Sequence, residues 1–205
     1  MTPEMGAALE ELELAAFPTA LAEDLYDERQ LRILARDFPE GSVVGFDGPN
    51  RDAPVALGLG VRAPFDFELP HHVLKDLLAA APTESGDDPA GDWYYGTDIV
   101  VRPDYRRRGI GGELYALRKQ ICVDLDLRGI VAGGVIPGFA HHKSNMTADE
   151  YIEAVVAGDL YDPTLTFQVE NGFDALGALP GYLRDPAVDN WASLIVWRRP
   201  DGAGH

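Results

Sequence analysis

The residues of this 205-residue chain best suited to chemistry lie in one short segment, Tyr105-Arg106-Arg107-Arg108-Gly109-Ile110-Gly111-Gly112. Its glycines lack the Cβ atoms that would keep a ligand away from the backbone. If a helix begins here, its first N–H groups are unpaired and carry the positive end of the helix dipole, which suits an anion. The three arginines add forked donors for phosphate oxygens. The segment therefore predicts a pyrophosphate site.

Other phosphate-binding patterns fit this segment poorly. A Walker A loop would need Gly-Lys-Ser/Thr, which is absent, and a dinucleotide-binding fingerprint would need a third glycine where Leu114 stands. A nucleic-acid patch at residues 106–108 is disfavoured because basic residues cluster nowhere else. The chain has 34 acidic and 17 basic residues, a formal net charge of −17. This charge disfavours nucleic acid and anionic membranes as partners and favours cationic ligands, although it could equally serve solubility.

The segment lies between a buried strand and an amphipathic helix. Residues 93–101 are largely apolar and aromatic, and apolar residues then recur three or four apart from about Gly109 to Leu125. Gly129 is the expected stop signal of that helix, and Ile130 to Ile136 is typical of a second buried strand. A strand, a helix and a strand in this order predict a parallel strand pair and an α/β fold.

Periodicity and turn signals predict the other elements. They are, in chain order, a helix around Leu9–Phe17, a helix at Asp27–Phe38, a hairpin (Val43–Phe46 and Val55–Val61) about Asp47-Gly48-Pro49-Asn50, a short helix at His71–Ala80, a helix at Ala148–Ala157, and strands at Phe173–Leu179 and Trp191–Trp197.

Several segments resemble one known family. Arg106-x-x-Gly109-x-Gly111 matches the Arg/Gln-x-x-Gly-x-Gly/Ala signature of GNAT acetyltransferases, and IVVRPDYRRRGIG resembles that family's fourth strand leading into its third helix. GIVAGG is similar to the fifth strand, and FQVENGF to the FYEKxGF segment before the sixth. More narrowly, LRGIVAGGVIPGF, YDPTLTFQVENGF and LPGYL resemble the acetyltransferase domain attached to some carbon–nitrogen hydrolases.

The resemblance implies a single GNAT-like domain over residues 1–205, with loose tails at 1–8 and 200–205. It implies a mixed, mostly antiparallel sheet of six or seven strands, flanked by helices, with a parallel pair splayed at the coenzyme site. Backbone amides of Arg106 to Gly112 would hold the pyrophosphate of coenzyme A. Backbone groups of Ile99, Val100 and Val101 would hold the pantetheine arm and polarise the thioester carbonyl. No metal is implied.

The implied reaction is transfer of acetyl from acetyl-CoA to a primary amine by direct attack. Asp98, on the strand that points at the thioester, is the candidate base, and an apolar neighbourhood would raise its pKa. It could instead cap a bulge or pair with an arginine. The acidic charge favours a cationic small-molecule or peptide acceptor. The alternative from another class is a non-catalytic acyl-CoA-binding or regulatory module.

The general acid is harder to assign. Many relatives have a tyrosine where this chain has Gln168, and an amide cannot supply a proton at ordinary pH. Tyr94, Tyr95 and Tyr182 are the candidate substitutes. Each could instead be a half-buried aromatic residue with a satisfied hydroxyl. The resemblance leaves open the acceptor, the acyl chain length and the oligomeric state, although GNAT relatives are often dimers.

The remaining features indicate no second site. The pairs His71-His72 and His141-His142 lack other ligands at metal-binding spacing, and Cys122 is expected in the core. Residues 1–13 are acidic and do not resemble a signal peptide, and no apolar run could span a bilayer. A cytoplasmic location is therefore expected.

Overall fold

A computed structural model describes residues 1–18, 22–48 and 53–200, so Pro49 and Asn50 of the expected hairpin turn and residues 201–205 lie outside the described part. The helices and strands are α1 (Gly6–Ala16), α2 (Glu28–Asp37), β1 (Val43–Phe46), β2 (Pro54–Ala63), α3 (Leu74–Ala80), β3 (Trp93–Val101), α4 (Ile110–Asp124), β4 (Gly129–Val135), α5 (Ala148–Ala157), α6 (Leu165–Glu170), β5 (Asp174–Leu179) and β6 (Ala192–Arg198).

The strands form one mixed sheet in the order β1-β2-β3-β4-β6-β5. Neighbouring strands are antiparallel except β3 and β4, which are parallel and joined by α4. This arrangement confirms the predicted mixed, mostly antiparallel sheet with one parallel crossover. Within the described residues, no helix has both the length and the apolar character needed to cross a bilayer.

The parallel pair separates soon after it forms. β3 and β4 are in register only at Tyr94 opposite Ile130 and Tyr95 opposite Val131. Beyond these positions β3 stays paired with β2 as far as Val101, while β4 stays paired with β6. The two strands therefore open a gap between residues 96–101 and 132–135, which we call the splay. Its presence confirms the expected splayed pair.

A β-bulge marks the start of the splay. Leu59 is opposite Asp98 whereas Gly60 is opposite Gly96, so Thr97 is an extra residue in β3. Residues that face each other in an antiparallel pair share one side of the sheet. Because of the bulge, Asp98 lies on the same side as Tyr95, the side covered by α1. Tyr94 lies on the other side, against α4. We call these sides the α1 face and the α4 face.

The N-terminal helix begins earlier than expected. Residues 1–8 are not a loose tail, because a 3₁₀ turn at Pro3–Met5 leads directly into α1 at Gly6. A Cβ at Gly6 would lie 2.9 Å from Cγ of Arg32 on α2, so the glycine permits close packing of the two helices. Leu9, Leu12 and Ala16 then bury one side of α1.

Two other local expectations were wrong. Gly129 does not end α4, which has Leu125 as its C-cap. Asp126 takes the left-handed conformation (φ 55°) that reverses the chain, and Gly129 instead opens β4. The short helix α6 was not predicted, because its six residues are too few to show a helical period.

Candidate active site

The loop before α4 forms a cradle of backbone donors. Arg107 (φ 60°) and Gly109 (φ 84°) are both left-handed, and this curls the chain into the N-cap of α4. The first helical hydrogen bond runs from the N–H of Glu113 to the carbonyl of Gly109, at 3.1 Å. The N–H groups of Ile110, Gly111 and Gly112 precede that bond and are not used by the helix. They point to where the helix dipole favours an anion.

The three arginines of this loop have different surroundings. Arg106 donates to the carbonyls of Val101 (3.0 Å) and Ala16 (2.8 Å), so it ties the loop to β3 and to the end of α1. Arg108 donates to the Asp104 carbonyl at 2.9 Å. The side chain of Arg107 is exposed and has no hydrogen bond or ion pair with the described residues. We therefore assign Arg106 to loop positioning, and Arg107 is the arginine best placed to meet a phosphate.

The glycines of the cradle have separate reasons to be glycine. A Cβ at Gly109 would meet nothing within 4 Å, so its surroundings are open to a ligand and only its φ favours glycine. A Cβ at Gly111 would lie 2.8 Å from the ring of Phe167, so this glycine lets α4 approach α6. The open cradle stands at the end of the strand that borders the splay. A diphosphate at the cradle and an extended arm along the splay fit this arrangement.

Asp98 lies partly buried on the α1 face, at the bulge. Burial raises the pKa of its carboxyl to about 7, although the positive charge of Arg118 opposes the rise. Glu13 on α1, which sequence reasoning missed, is fully buried near it. Burial and the charge of Asp98 raise the pKa of Glu13 to about 9. The site therefore holds two carboxyl groups that resist ionising together.

Arg118 of α4 holds the bulge from the α4 face. It is 3% exposed, and its guanidinium donates to the carbonyls of Leu59 and Asp98, the latter at 2.6 Å. These two residues face each other where the register shifts, so Arg118 binds carbonyls at the point where the bulge disturbs the strand ladder. It thereby helps to position Asp98.

The structure separates the tyrosine candidates. Tyr94 is on the α4 face, where its hydroxyl donates to the Gly41 carbonyl (2.6 Å) and accepts from Arg118 (3.3 Å). It is buried, satisfied and on the opposite side of the sheet from Asp98. The expectation that Tyr94 could act as the general acid is therefore not supported, because the bulge turns Asp98 away from it.

Tyr182, in contrast, lies on the α1 face beside the splay. It is 1% exposed, and a Cβ at Gly133 of β4 would overlap its ring. Its hydroxyl is 3.0 Å from that of Tyr95, which is 2.5 Å from Nε2 of His72. Burial raises the pKa of Tyr182 to about 12, with a smaller contribution from the charge of Asp98. Asp98 and Tyr182 thus lie on the same face of the sheet beside the splay, and hydrogen bonds connect Tyr182 to Tyr95 and Tyr95 to His72.

Gln168 borders the splay from the other face. It is buried, its Oε1 has no partner among the described residues, and a Cβ at Gly134 would overlap its amide. Because Gly133 and Gly134 point to opposite faces, Tyr182 and Gln168 flank β4 from opposite sides. The structure thus places Gln168 beside the expected path of the pantetheine arm.

The remaining hollow, the histidine pairs and Cys122 are not part of the cradle or the splay. A hollow of about 730 Å³ between α1 and α2 is lined largely by charged residues and shares none with the cradle or the splay. Nδ1 of His72 is 2.7 Å from the Pro70 carbonyl, and the ring of His142 lies against Tyr151. The described residues include no group of three or more His, Cys, Asp or Glu side chains placed to hold a metal. Cys122 is buried, and burial raises its pKa to about 12, so it remains a core thiol.

The family follows from comparison with known proteins. The model of the acetyltransferase (GNAT) family matches residues 6–140, which include α1, the splayed strands and the cradle. The chain belongs to this family. The likeness extends to the narrower group with an attached hydrolase that the sequence segments indicated.

Two curated relatives come from Bacillus subtilis (strain 168). The chain is 40% identical to "Probable hydrolase YhcX" over 170 residues, 80% of this chain but only 31% of that protein. It is 29% identical to "Uncharacterized N-acetyltransferase YkwB" over 193 residues, 91% of this chain and 81% of that one. Among solved structures, the GphF GNAT-like decarboxylase in complex with isobutyryl-CoA matches with a TM-score of 0.77 and 19% identity, covering 98% of this chain and 97% of that chain.

The buried Glu13 leads to a prediction about stability and pH. In the unfolded chain a glutamate ionises near pH 4, whereas burial in the folded protein holds its proton until about pH 9. Between these values the folded state binds one extra proton, so stability falls by about 1.4 kcal/mol per pH unit. Glu13→Gln removes this loss. Its free energy of unfolding relative to wild type, measured with urea, should therefore rise with pH at about that rate between about pH 5 and pH 8.

Glu11 is exposed on the same helix and serves as the control. The difference between Glu11→Gln and wild type should not change with pH. A pH-independent difference for Glu13→Gln as well would contradict the assigned protonation of Glu13.

Proposed function

We propose that this protein transfers an acetyl group from acetyl-CoA to a primary amine. The observation that carries the proposal is that Asp98, on the strand that leads into the backbone cradle, and Tyr182, packed against Gly133 of β4, lie on the same face of the sheet beside the splay. Further support comes from the relatives, because one is described as an N-acetyltransferase and a solved neighbour was determined with an acyl-CoA. That neighbour is itself a decarboxylase, so the fold alone does not select the reaction.

The coenzyme would be held at two places. The N–H groups of Ile110, Gly111 and Gly112, with the guanidinium of Arg107, would bind its diphosphate. Backbone groups of Ile99, Val100 and Val101 that face the splay would bind its extended arm, since β4 has separated from them. When bound, acetyl-CoA supplies an activated thioester carbonyl.

The side chains of the splay would then move the protons. Asp98 would accept a proton from the amine as its nitrogen forms the new C–N bond. Tyr182 would donate a proton to the sulfur as the C–S bond breaks, which releases the free thiol. After the reaction Asp98 carries one extra proton and Tyr182 lacks one. Transfer of a proton from Asp98 to Tyr182 through solvent restores both groups to their starting states. No covalent enzyme intermediate is required.

The test is a screen for thiol release from acetyl-CoA against a panel of primary amines. Amine-dependent release of thiol, with formation of the N-acetyl product, would support the proposal. Tight acetyl-CoA binding without turnover by any amine would favour the rival function, a non-catalytic acyl-CoA-binding module. The unusual Gln168 in place of a tyrosine is the observation that keeps this rival open.

Tyr182→Phe tests the assignment of the acid. The substitution keeps the ring against Gly133 but removes the only proton that this side chain can donate. We expect kcat to fall about 100-fold, with little change in KM for acetyl-CoA. Tyr94→Phe removes a buried hydroxyl from the opposite face and should leave kcat nearly unchanged. Equal losses in the two variants would mean that Tyr182 acts through packing alone.

A further inference from the structure

Beneath α1 lies a group of buried polar atoms around the carboxyl group of Glu13. Both carboxyl oxygens of Glu13 are buried there without a hydrogen bond to the described residues, whereas the neighbouring hydroxyls of Tyr26 and Thr97 pair at most with each other. Glu13 is 0% exposed. Buried polar groups are nearly always paired, so a fully buried carboxyl group with neither oxygen paired points to a ligand.

These atoms form one cluster with Asp98. Arg106 fixes the last turn of α1 against the end of β3, and Glu13 lies about one turn before that contact. Burial is the main reason that the pKa values of Glu13 and Tyr26 are raised. The charge of Asp98 adds to the rise at both groups and that of Glu13 adds to it at Tyr26, as expected of groups that lie close together. Thr97 is the bulge residue next to Asp98 and lies beside the Tyr26 hydroxyl. We call Glu13, Tyr26, Thr97 and Asp98 the acidic cluster.

The chemistry of the cluster selects its ligand. Two carboxyl groups and two hydroxyls offer many acceptor atoms, so the matching group is a cationic donor. A metal ion fits less well, since the described residues place no three His, Cys, Asp or Glu side chains together. A primary ammonium offers three N–H donors and one positive charge in a small volume. Because the Glu13 carboxyl is fully enclosed, the cation that needs the least room beside it is the one that the site favours.

We propose that the acidic cluster binds the ammonium group of the acceptor, with Glu13 as its principal partner and Asp98 beside it. This inference rests on the proposed function and names its substrate class, which is primary amines that present an alkylammonium at the end of a slender, unbranched arm. Glu13 is a specificity residue. The bound ammonium loses one proton to solvent to give the amine that attacks, and Asp98 takes the second proton as the C–N bond forms.

Binding changes the charge of the cluster. In the free protein Glu13 holds a proton at neutral pH, because it is buried and faces Asp98. The other titratable groups here are Tyr26 within the cluster and Tyr182 beside it, and the cation Arg118 lies behind Asp98 on the α4 face. An incoming ammonium favours the ionised carboxylate. Glu13 therefore releases about one proton for each ammonium bound at pH 7.5.

The test follows the Glu13 carboxyl directly by NMR of protein labelled with ¹³C at the Glu and Asp carboxyl carbons. The probes are methylammonium, n-butylammonium and 1,4-diammoniobutane, added at pH 7.5, with n-butanol as the neutral control. We expect n-butylammonium or 1,4-diammoniobutane to move the Glu13 signal from its protonated to its ionised position, and n-butanol to leave it in place. Glu13→Gln should weaken binding of the same probe at least about tenfold, whereas Glu11→Gln should not.

Different results would contradict the proposed acceptor site and the proposed coenzyme reaction. No response of the Glu13 carboxyl to any of the three ammonium probes would overturn the inference, as would equal affinity in Glu13→Gln. Acetyl-CoA binding and thiol release are measured on the same samples. Their absence would overturn the proposed function, whereas their presence with an unchanged KM for the amine in Glu13→Gln would overturn only the assignment of Glu13.

Discussion

Asp98→Asn is expected to lower kcat by about 10²–10⁴-fold, the usual contribution of a positioned general base. The amide has nearly the same shape as the carboxyl but cannot accept the amine proton. Acetyl-CoA affinity should be nearly unchanged, because the cradle follows the C-terminal end of β3, whereas Asp98 lies at the bulge within that strand. Steady-state kinetics with the best acceptor from the amine screen, together with calorimetric titration of acetyl-CoA, separate the two effects.

The dependence of kcat/KM on pH is a second test of Asp98→Asn. Only ionised Asp98 can accept a proton, and burial raises its pKa to about 7. In the wild type, kcat/KM should therefore rise with pH up to about neutrality, and this limb should be absent from Asp98→Asn. Asp159→Asn, at an exposed aspartate after α5, should keep both the rate and the limb. An unchanged profile in Asp98→Asn would show that another group is the base.

Gly109→Asp is expected to weaken acetyl-CoA binding about 100-fold, or about 2.7 kcal/mol. It would place a negative charge at the N-cap of α4, where the diphosphate is proposed to lie. The carboxylate itself suits a helix N-terminus, so the fold should tolerate it apart from the cost of a left-handed non-glycine residue. Calorimetric titration measures the loss, and circular dichroism checks the fold.

Gly158 offers a matched control for that backbone cost. It has φ 82° against 84° at Gly109, and a Cβ there would likewise meet nothing within 4 Å. Gly158→Asp therefore introduces the same side chain with the same strain, but at the end of α5. It should leave acetyl-CoA affinity unchanged. Equal acetyl-CoA affinities of Gly109→Asp and Gly158→Asp would show that the cradle is not part of the coenzyme site.

The cradle and its supporting elements were predictable from the sequence because they are local. A buried strand, an arginine- and glycine-rich loop and an amphipathic helix follow one another from Trp93 to Asp124. Each is recognisable within a short window, and the parallel pairing of β3 and β4 follows from their order. The role of Arg106 was not visible in the same way. Its partners include Ala16, and a contact 90 residues away leaves no local trace.

The choice among the tyrosines was beyond sequence reasoning because of one extra residue. If the side chains of β3 alternated regularly, Asp98 would be on the same face of the sheet as Tyr94, and Tyr95 would be on the other face. The bulge at Thr97 reverses this, so Asp98 joins Tyr95 and Tyr182 instead. A bulge depends on the register with β2 and on Arg118 behind it, neither of which is written in the strand itself.

Glu13 was missed for a different reason. It belongs to an acidic helical segment, Glu10-Glu11-Leu12-Glu13-Leu14, in which charged residues are normally expected to be exposed. Packing of α1 on the sheet buries Glu13 and leaves Glu11 exposed. The helical period does place Glu13 next to the buried residues Leu9, Leu12 and Ala16, and this was the one available signal.

Calorimetric titration of the wild-type protein with acetyl-CoA, with ATP and NAD as controls, shows whether the chain has a coenzyme site. We expect saturable binding of acetyl-CoA near one molecule per chain, and no comparable binding of ATP or NAD. No binding of acetyl-CoA would contradict this expectation. The segment from Arg106 to Gly112 would then be only the start of a helix, and the proposed transferase activity would be contradicted as well.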